Sequence, residues 1–133
     1  VIRLGHKEIV RFCCQFFEGV HEATFSEACG IGDLVLSCTV GRGQRLAAAF
    51  VSQTASPRKS WAELEVETLN GQKIPDWHTI NEVHQFLTSH NALPAYPLMD
   101  AIYQVAYQSS NGADAIVSAL RTSLAHHQSS GGL

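Results

Sequence analysis

Charged side chains are scarce in this sequence. Only 16% of its 133 residues are Asp, Glu, Lys or Arg, whereas an average globular protein has about 25%. So few charges predict that a second domain or a partner covers part of the surface. Basic residues are not in excess either, since the formal net charge at pH 7 is -3. We therefore expect no nucleic-acid partner.

Long apolar runs are also absent. No uninterrupted apolar segment approaches the roughly 20 residues that a membrane span requires, so we expect no membrane association. Apolar residues nevertheless make up 45% of the sequence, which is ordinary for a protein with a packed core. We predict one domain over residues 1–125, followed by a disordered tail over residues 126–133 that is rich in Ser and Gly.

Several motifs that carry chemistry are missing. The seven histidines form no His-Glu-x-x-His pattern, and no Gly-x-Ser-x-Gly elbow or complete nucleotide-binding glycine fingerprint is present. We therefore expect no metal site. The cysteines follow neither zinc nor disulfide spacing, and they lie in apolar stretches, which predicts reduced residues in the core. These cysteines are Cys13, Cys14, Cys29 and Cys38.

Apolar residues recur at helical spacing almost throughout the chain, and no strand-like alternation interrupts them. The pattern predicts an all-α domain of six or seven helices. The first helix has no N-cap residue in the sequence, so we expect it to begin ahead of Val1. Capping boxes are predicted at Thr24–Glu27 and Thr79–Glu82. The predicted helices cover residues 1–17, 24–38, 45–50, 61–69, 79–87, 98–107 and 113–124.

Asp33 interrupts a run from Gly30 to Cys38 that is otherwise apolar or small. At about 100° per residue, Gly30, Ser37 and Gly41 project on the same side of a helix as Asp33, and the apolar residues point into packing. The pattern predicts a narrow slot with one carboxylate and one hydroxyl. A buried carboxylate must be paired or hydrogen-bonded. Asp33 is therefore either a functional group or a structural cap or salt bridge.

The segment Val40-Gly41-Arg42-Gly43-Gln44-Arg45 follows this run directly. Glycines let backbone amides approach a ligand, and the N-terminus of the next helix favours anions. The guanidinium of Arg42 adds a planar set of donors that suits phosphate. The segment is a candidate anion-binding turn, although an exposed turn explains the same residues.

Four segments, taken together, resemble a known family. They are Thr-Phe-Ser-Glu-Ala-Cys-Gly-Ile-Gly-Asp-Leu at 24–34, Gly-Arg-Gly-Gln-Arg at 41–45, Leu-Asn-Gly-Gln-Lys-Ile at 69–74 and Tyr-Pro-Leu-Met-Asp-Ala-Ile-Tyr-Gln-Val-Ala-Tyr at 96–107. Their order and spacing resemble the C-terminal domain of NAD-dependent glycerol-3-phosphate dehydrogenase of the eukaryotic cytosolic type. The resemblance extends from Val1 to about Leu120.

The resemblance implies a two-domain, cytoplasmic enzyme. Its N-terminal Rossmann-type domain holds NAD, and its helical C-terminal domain binds the triose and forms a homodimer. The reaction interconverts dihydroxyacetone phosphate and glycerol 3-phosphate by hydride transfer. The family's acid/base lysine belongs to an Asn-Thr-Lys motif that we expect shortly before Val1. The present residues alone are therefore expected to be inactive.

The resemblance also assigns residue roles. Asp33 corresponds to the acidic partner of the catalytic lysine, and Ser37 to a hydroxyl that contacts the substrate. The phosphate-binding segment falls on Gly41, Arg42 and Gly43. The cofactor contacts fall on Arg42 and on the loop lysine, Lys73.

Two positions depart from the family pattern. Gly43 stands where the family has Asn, and Pro75 stands where the family commonly has Gln. Both changes remove a side-chain donor, and Pro75 also stiffens the loop. Two alternatives therefore remain open: a non-catalytic helical module for dimerisation or anion binding, and a related dehydrogenase with another phosphorylated hydroxy-substrate.

Overall fold

The structure is a computed structural model that describes residues 1–54, 56–108, 114 and 116–121. Residues 1–54 and 56–108 form six α-helices, two 3-10 helices and one π-helical turn, and the described residues contain no strand. The predicted all-α fold is confirmed. The last helix is predicted over residues 113–124, and the described residues of this range, 114 and 116–121, are helical. The predicted tail over residues 126–133 lies outside the described residues. The α-helices are α1 (Ile2–Phe16), α2 (Asp33–Val40), α3 (Arg42–Val51), α4 (Trp61–Leu69), α5 (Asp76–Ser89) and α6 (Pro97–Tyr107).

The chain forms two compact units. The site unit is Glu22–Trp77, and the terminal unit combines Val1–His21 with the described residues from His78 onward. All candidate site residues lie in the site unit. Among the described residues, no helix has both the length and the apolar character that crossing a bilayer demands.

The core of the site unit lies where α3 packs against α4. Trp61 stacks on Phe50, with ring centroids 3.8 Å apart. Burying a leucine or phenylalanine side chain in this core contributes about 1.5–3 kcal/mol to the free energy of folding. The core residues are Leu46, Phe50, Leu64, Leu69 and Ile74.

Capping explains the bounds of α4, which match the predicted helix. The Ser60 hydroxyl accepts from the Glu63 amide, and the Glu63 carboxylate accepts from the Ser60 amide, so a capping box begins the helix. Asn70 and Gly71 end it with φ angles of 51° and 76°. Asn and Gly adopt this left-handed conformation more readily than other residues.

A buried carboxylate organises the terminal unit. Glu8 on α1 accepts hydrogen bonds from the amides of Leu98 and Met99, both at 2.9 Å, at the first turn of α6. It therefore supplies the N-terminal cap that no side chain next to α6 provides. Burial raises the pKa of Glu8 above its usual 4.5, although the two amides and Arg11 act in the opposite direction.

Two predicted capping boxes are wrong. Thr24 lies inside a 3-10 helix, Glu22–Ser26, and its carbonyl, not its hydroxyl, accepts from the Glu27 amide. Thr79 lies within α5, which begins at Asp76 directly after Pro75. An acidic side chain in the first turn is favourable because it faces the positive end of the helix dipole.

The prediction that all cysteines are core residues is also wrong. Cys14, Cys29 and Cys38 are exposed, Cys13 is half-buried, and all four are free thiols. Of the four, Cys38 lies on α2, a short helix that packs against α3. Within this unit the remaining sides of α2 stay exposed, so apolar surroundings in the sequence do not translate into burial.

Candidate functional site

An unusual backbone precedes Asp33. Residues Ala28–Gly32 form a π-helical turn, and the Asp33 amide donates to the carbonyl of Ala28. Gly30 permits this turn because a Cβ there would collide with the backbone of Phe25. The close approach divides the helix predicted over 24–38 into a 3-10 helix, a π turn and α2. Single π turns inside helices are frequent at functional sites.

Asp33, Ser37 and Gly41 follow one another along α2. Asp33 is the first residue of the helix, Ser37 lies four residues later on the same face, and the Gly41 amide donates to the Ser37 carbonyl at 3.1 Å. The structure therefore brings these three predicted residues together on one polar stripe that leads to the start of α3.

The predicted slot around Asp33 is not enclosed. Asp33 and Ser37 are exposed, so water can solvate the carboxylate and no buried partner is required. Val35 and Leu36 were expected to pack inward, but 41% and 59% of their surface is exposed, and Val40 at the end of α2 is 66% exposed. The expectation of a buried carboxylate flanked by packed apolar residues is wrong.

The glycine-arginine segment is the first turn of α3 rather than a loop before it. The helix begins at Arg42, three residues earlier than predicted, and Gly41 is its N-cap. The amides of Arg42, Gly43 and Gln44 therefore occupy the first helical positions, where no intrahelical acceptor is available. Together with the exposed Arg42 side chain, this end of α3 presents donors and positive charge to an anion.

A carboxylate of the same chain lies against this turn. A Cβ added at Gly43 would collide with the Asp76 side chain, mainly with Oδ2. Asp76 thus takes the space in which any side chain at position 43 would begin. It also lies three residues after Lys73, so the contact brings the Lys73 segment to the start of α3. Asp76 was not among the site residues predicted from the sequence.

Glu65 anchors the segment that carries Lys73. Only 1% of its surface is exposed, and it accepts three hydrogen bonds: from Lys73 Nζ at 2.9 Å, from the Ile74 amide at 3.2 Å and from Trp77 Nε1 at 3.2 Å. The bond from Lys73 contributes most to lowering the pKa of Glu65 below its usual 4.5, and the Ile74 amide and Trp77 indole add to it, while burial opposes them.

Glu65 was not predicted as a site residue, although the sequence contains a signal for its burial. On a helix with about 100° per residue, Glu65 falls in the middle of the stripe formed by Trp61, Leu64 and Leu69. An acidic residue inside an apolar stripe must find donors when it is buried. Glu63 and Glu67 on the same helix face solvent, so residue type alone did not show that Glu65 is buried.

Lys73 remains accessible although its ammonium is paired. Its side chain is 73% exposed, whereas the Glu65 side chain is 1% exposed. An exposed cation at this position can meet an anionic ligand. Among the described residues, no cluster of three or more His, Cys, Asp or Glu side chains could hold a metal ion.

Comparisons with known proteins identify the family of this chain. The family model described as NAD-dependent glycerol-3-phosphate dehydrogenase C-terminus matches residues 1–117. The human glycerol-3-phosphate dehydrogenase 1-like protein is 44% identical over 110 residues, which cover 82% of this chain and 30% of that protein. The bovine cytoplasmic NAD(+) glycerol-3-phosphate dehydrogenase is 41% identical over 110 residues, again 82% and 30% of the two chains.

Solved structures give the same answer. A Plasmodium falciparum glycerol-3-phosphate dehydrogenase superposes with a TM-score of 0.78 at 28% identity, covering 88% of this chain and 32% of that one. The yeast enzyme, from Saccharomyces cerevisiae, superposes with a TM-score of 0.77 at 32% identity, covering 86% and 31%. The chain thus spans about a third or less of the relatives that it matches. It belongs to the family of NAD-dependent glycerol-3-phosphate dehydrogenase C-terminal domains.

Proposed function

We propose that residues 1–125 are the substrate-binding and dimerisation domain of a cytoplasmic NAD-dependent glycerol-3-phosphate dehydrogenase. The reaction interconverts dihydroxyacetone phosphate and sn-glycerol 3-phosphate by hydride transfer. The observation that carries the proposal is the polar stripe of Asp33, Ser37 and Gly41, which ends at the donor-rich first turn of α3. An acid, a hydroxyl and an anion-binding turn are the groups that a phosphorylated triose requires.

In this proposal the first turn of α3 holds the substrate phosphate. The amides of Arg42 and Gly43 donate to its oxygens, Gly41 lets the phosphate approach closely, and the Arg42 guanidinium adds charge-assisted hydrogen bonds. Phosphate binding fixes the distance from this turn to the carbonyl carbon. The binding energy gained at the phosphate, away from the reacting atoms, thereby orients those atoms.

Asp33 and Ser37 act at the other end of the triose. Reduction of a ketone develops negative charge on the carbonyl oxygen, which needs a proton and nearby positive charge. The Asp33 carboxylate orients the ammonium of the family's acid/base lysine, which lies outside these residues. The Ser37 hydroxyl hydrogen-bonds a substrate oxygen. Because Asp33 is exposed in this chain, its carboxylate is free to contact groups from the remainder of the protein.

Arg42 and Lys73 fit an anionic cofactor. Both side chains are exposed and positively charged, which matches the negatively charged pyrophosphate of NAD. When bound, NAD supplies or accepts the hydride, and a further N-terminal domain holds most of it. The exposed apolar residues Val35, Leu36 and Val40 support coverage of α2 by that domain or by the second subunit of a homodimer.

The test is turnover by the full-length protein that contains these residues. We expect NADH absorbance to fall when dihydroxyacetone phosphate is added, whereas the 133 residues alone should be inactive. A folded full-length protein without activity above background would contradict the proposal.

Two substitutions test the assigned roles. Asp33→Asn should lower kcat by about 100-fold or more while the free energy of unfolding changes by less than about 0.5 kcal/mol, because the side chain is exposed. Arg42→Ala should raise KM for dihydroxyacetone phosphate by about 10- to 100-fold. Normal turnover by the first variant, or an unchanged KM in the second, rejects the corresponding role.

A second candidate function is a non-catalytic helical module for dimerisation or anion binding. The contact between Asp76 and Gly43 favours the dimerisation form of this module over the anion-binding form, because a carboxylate at the first turn of α3 repels a phosphate. Isothermal titration of the full-length protein with dihydroxyacetone phosphate and NADH separates the candidates. An enzyme binds both and reacts, whereas a dimerisation module binds neither and shows no turnover.

A further inference from the structure

The proposed function leaves the most buried acid of the site unit without a role. The donors to Glu65 come from one short segment: Lys73, Ile74 and Trp77. This segment follows the left-handed turn at Asn70 and Gly71. One carboxylate on a regular helix therefore holds Lys73 and Ile74 of the connection between α4 and α5, together with Trp77 in the first turn of α5.

The two oxygens of Glu65 have different partners. Oε1 accepts from the Ile74 amide and from Trp77 Nε1, which fixes the backbone and the far end of the segment. Oε2 accepts from Lys73 Nζ. The anchoring of the segment and the orientation of the lysine thus depend on separate atoms, and a substitution can separate them.

We propose that Glu65 is a positioning residue that fixes the ammonium of Lys73 for contact with the anionic cofactor. This inference rests on the proposed function and names a residue that acts through Lys73. The lysine ammonium has three N–H donors; Glu65 takes one, and two remain for a ligand. A lysine that is already held in place loses less conformational entropy when the ligand binds. The lowered pKa of Glu65 keeps the carboxylate ionised at neutral pH.

The chain offers a substitution that breaks only the Lys73 contact. In Glu65→Gln, the amide oxygen can replace Oε1 and keep the bonds from Ile74 and Trp77. The amide NH2 then replaces Oε2 and faces the Lys73 ammonium, donor against donor. Lys73→Met removes the ammonium and retains most of the apolar stem. The double variant, which carries both Glu65→Gln and Lys73→Met, completes a double-mutant cycle.

The matched control is a second lysine–glutamate pair, between Lys59 just before α4 and Glu67 on α4. Lys59 Nζ lies 2.7 Å from Glu67 Oε1 on the surface, and both side chains are 52% exposed. Lys59→Met and Glu67→Gln remove the same kinds of group from a pair that is not tied to the Lys73 segment. Exposed pairs of this kind contribute little, so these variants should retain wild-type kinetics.

The experiment measures kcat and KM for NADH in the full-length protein. We expect Glu65→Gln and Lys73→Met each to raise KM by about 10- to 100-fold with a smaller change in kcat. The double variant should match the single variants, because both remove one interaction. Hydrogen exchange of residues 70–77 should stay slow in Glu65→Gln, which shows that the segment remains anchored.

A wild-type KM in Glu65→Gln overturns the inference, as do effects that multiply in the double variant. Glu65→Asp provides a second variant if the glutamine variant does not fold: it keeps the charge but withdraws the carboxylate by one methylene, and a wild-type KM there also overturns the inference. A wild-type protein that neither binds NADH nor reacts contradicts the proposed function itself, which is a separate result.

Discussion

Each unit of this chain contains one nearly buried glutamate, and the two behave oppositely. Glu8 in the terminal unit is 2% exposed and Glu65 in the site unit is 1% exposed. Glu8 meets two backbone amides at the start of α6, and burial prevails, so its pKa is raised. Glu65 meets an ammonium, an amide and an indole, and these donors prevail, so its pKa is lowered.

The difference lies in what the two carboxylates hold. Glu8 connects two regular helices, α1 and α6, and closes an uncapped helix end. Glu65 connects a regular helix to an irregular segment that carries an exposed cation. The first arrangement serves stability, since neither amide is available to a ligand. The second leaves Lys73 accessible, which is why we assign it a part in function.

The largest expected effect is the loss of the Glu8 cap. Glu8→Ala leaves the amides of Leu98 and Met99 without an acceptor, and each buried unsatisfied donor costs about 1–3 kcal/mol. We expect the free energy of unfolding to fall by about 2–4 kcal/mol, measured by urea denaturation. Glu8→Gln retains one acceptor oxygen and should lose about half as much. An alanine variant as stable as the wild type would show that the cap contributes nothing.

Two glycines in the site unit provide the next comparison. Gly30→Ala pushes a Cβ into the Phe25 backbone and should destabilise the protein by about 1–3 kcal/mol. Gly43→Ala displaces only the end of the Asp76 side chain, and alanine favours helix by about 0.5–1 kcal/mol over glycine. We therefore expect the second variant to be nearly as stable as the wild type or slightly more so.

Thermal unfolding of both variants checks this order. Gly43→Ala in an Asp76→Ala background is the control, because the collision is then absent. Equal losses at the two glycines would indicate that the path of the Phe25 backbone does not depend on Gly30.

The smallest expected effect is a difference in pH dependence. The lowered pKa of Glu65 means that its contribution is present above 4.5 and is lost as the pH falls below that value. The raised pKa of Glu8 has the opposite consequence: its contribution grows as the pH falls toward 4.5 and is lost as the pH rises through the raised value.

Unfolding curves measured across this range give the test. Relative to Glu65→Gln, the wild type should lose its advantage on acidification. Relative to Glu8→Gln, the wild type should gain stability on acidification. Parallel pH profiles for the two comparisons would contradict the assignment of opposite shifts.

Regular helices were predictable from the sequence, because their signals are local. The residues 61–69 form α4 as predicted, since apolar spacing, Asn70 and Gly71 all lie within or next to the helix. Asp33, Ser37 and Gly41 also share a stripe as predicted, because their spacing fixes it. The interruption at Ala28–Gly32 was not predictable, because it depends on contact between Gly30 and the Phe25 backbone.

Burial and tertiary hydrogen bonds were harder to predict. Asp33 lies in an apolar run and is exposed, whereas Glu65 lies among other glutamates and is buried. Which side of a short helix meets a neighbour depends on packing between elements, and the sequence pattern of a single helix does not determine it. Asp76 was missed for the same reason, since its contact with Gly43 joins two helices.

The most direct test of the central claim is a carbon-13 NMR titration of the glutamate side-chain carboxyls in the protein, assigned with Glu8→Gln and Glu65→Gln. The account predicts that Glu65 titrates below 4.5 and Glu8 above it, and that Lys73→Met moves only the Glu65 midpoint upward. Equal titration midpoints for the two carboxyls would contradict this prediction, as would a Glu65 midpoint that does not change in Lys73→Met.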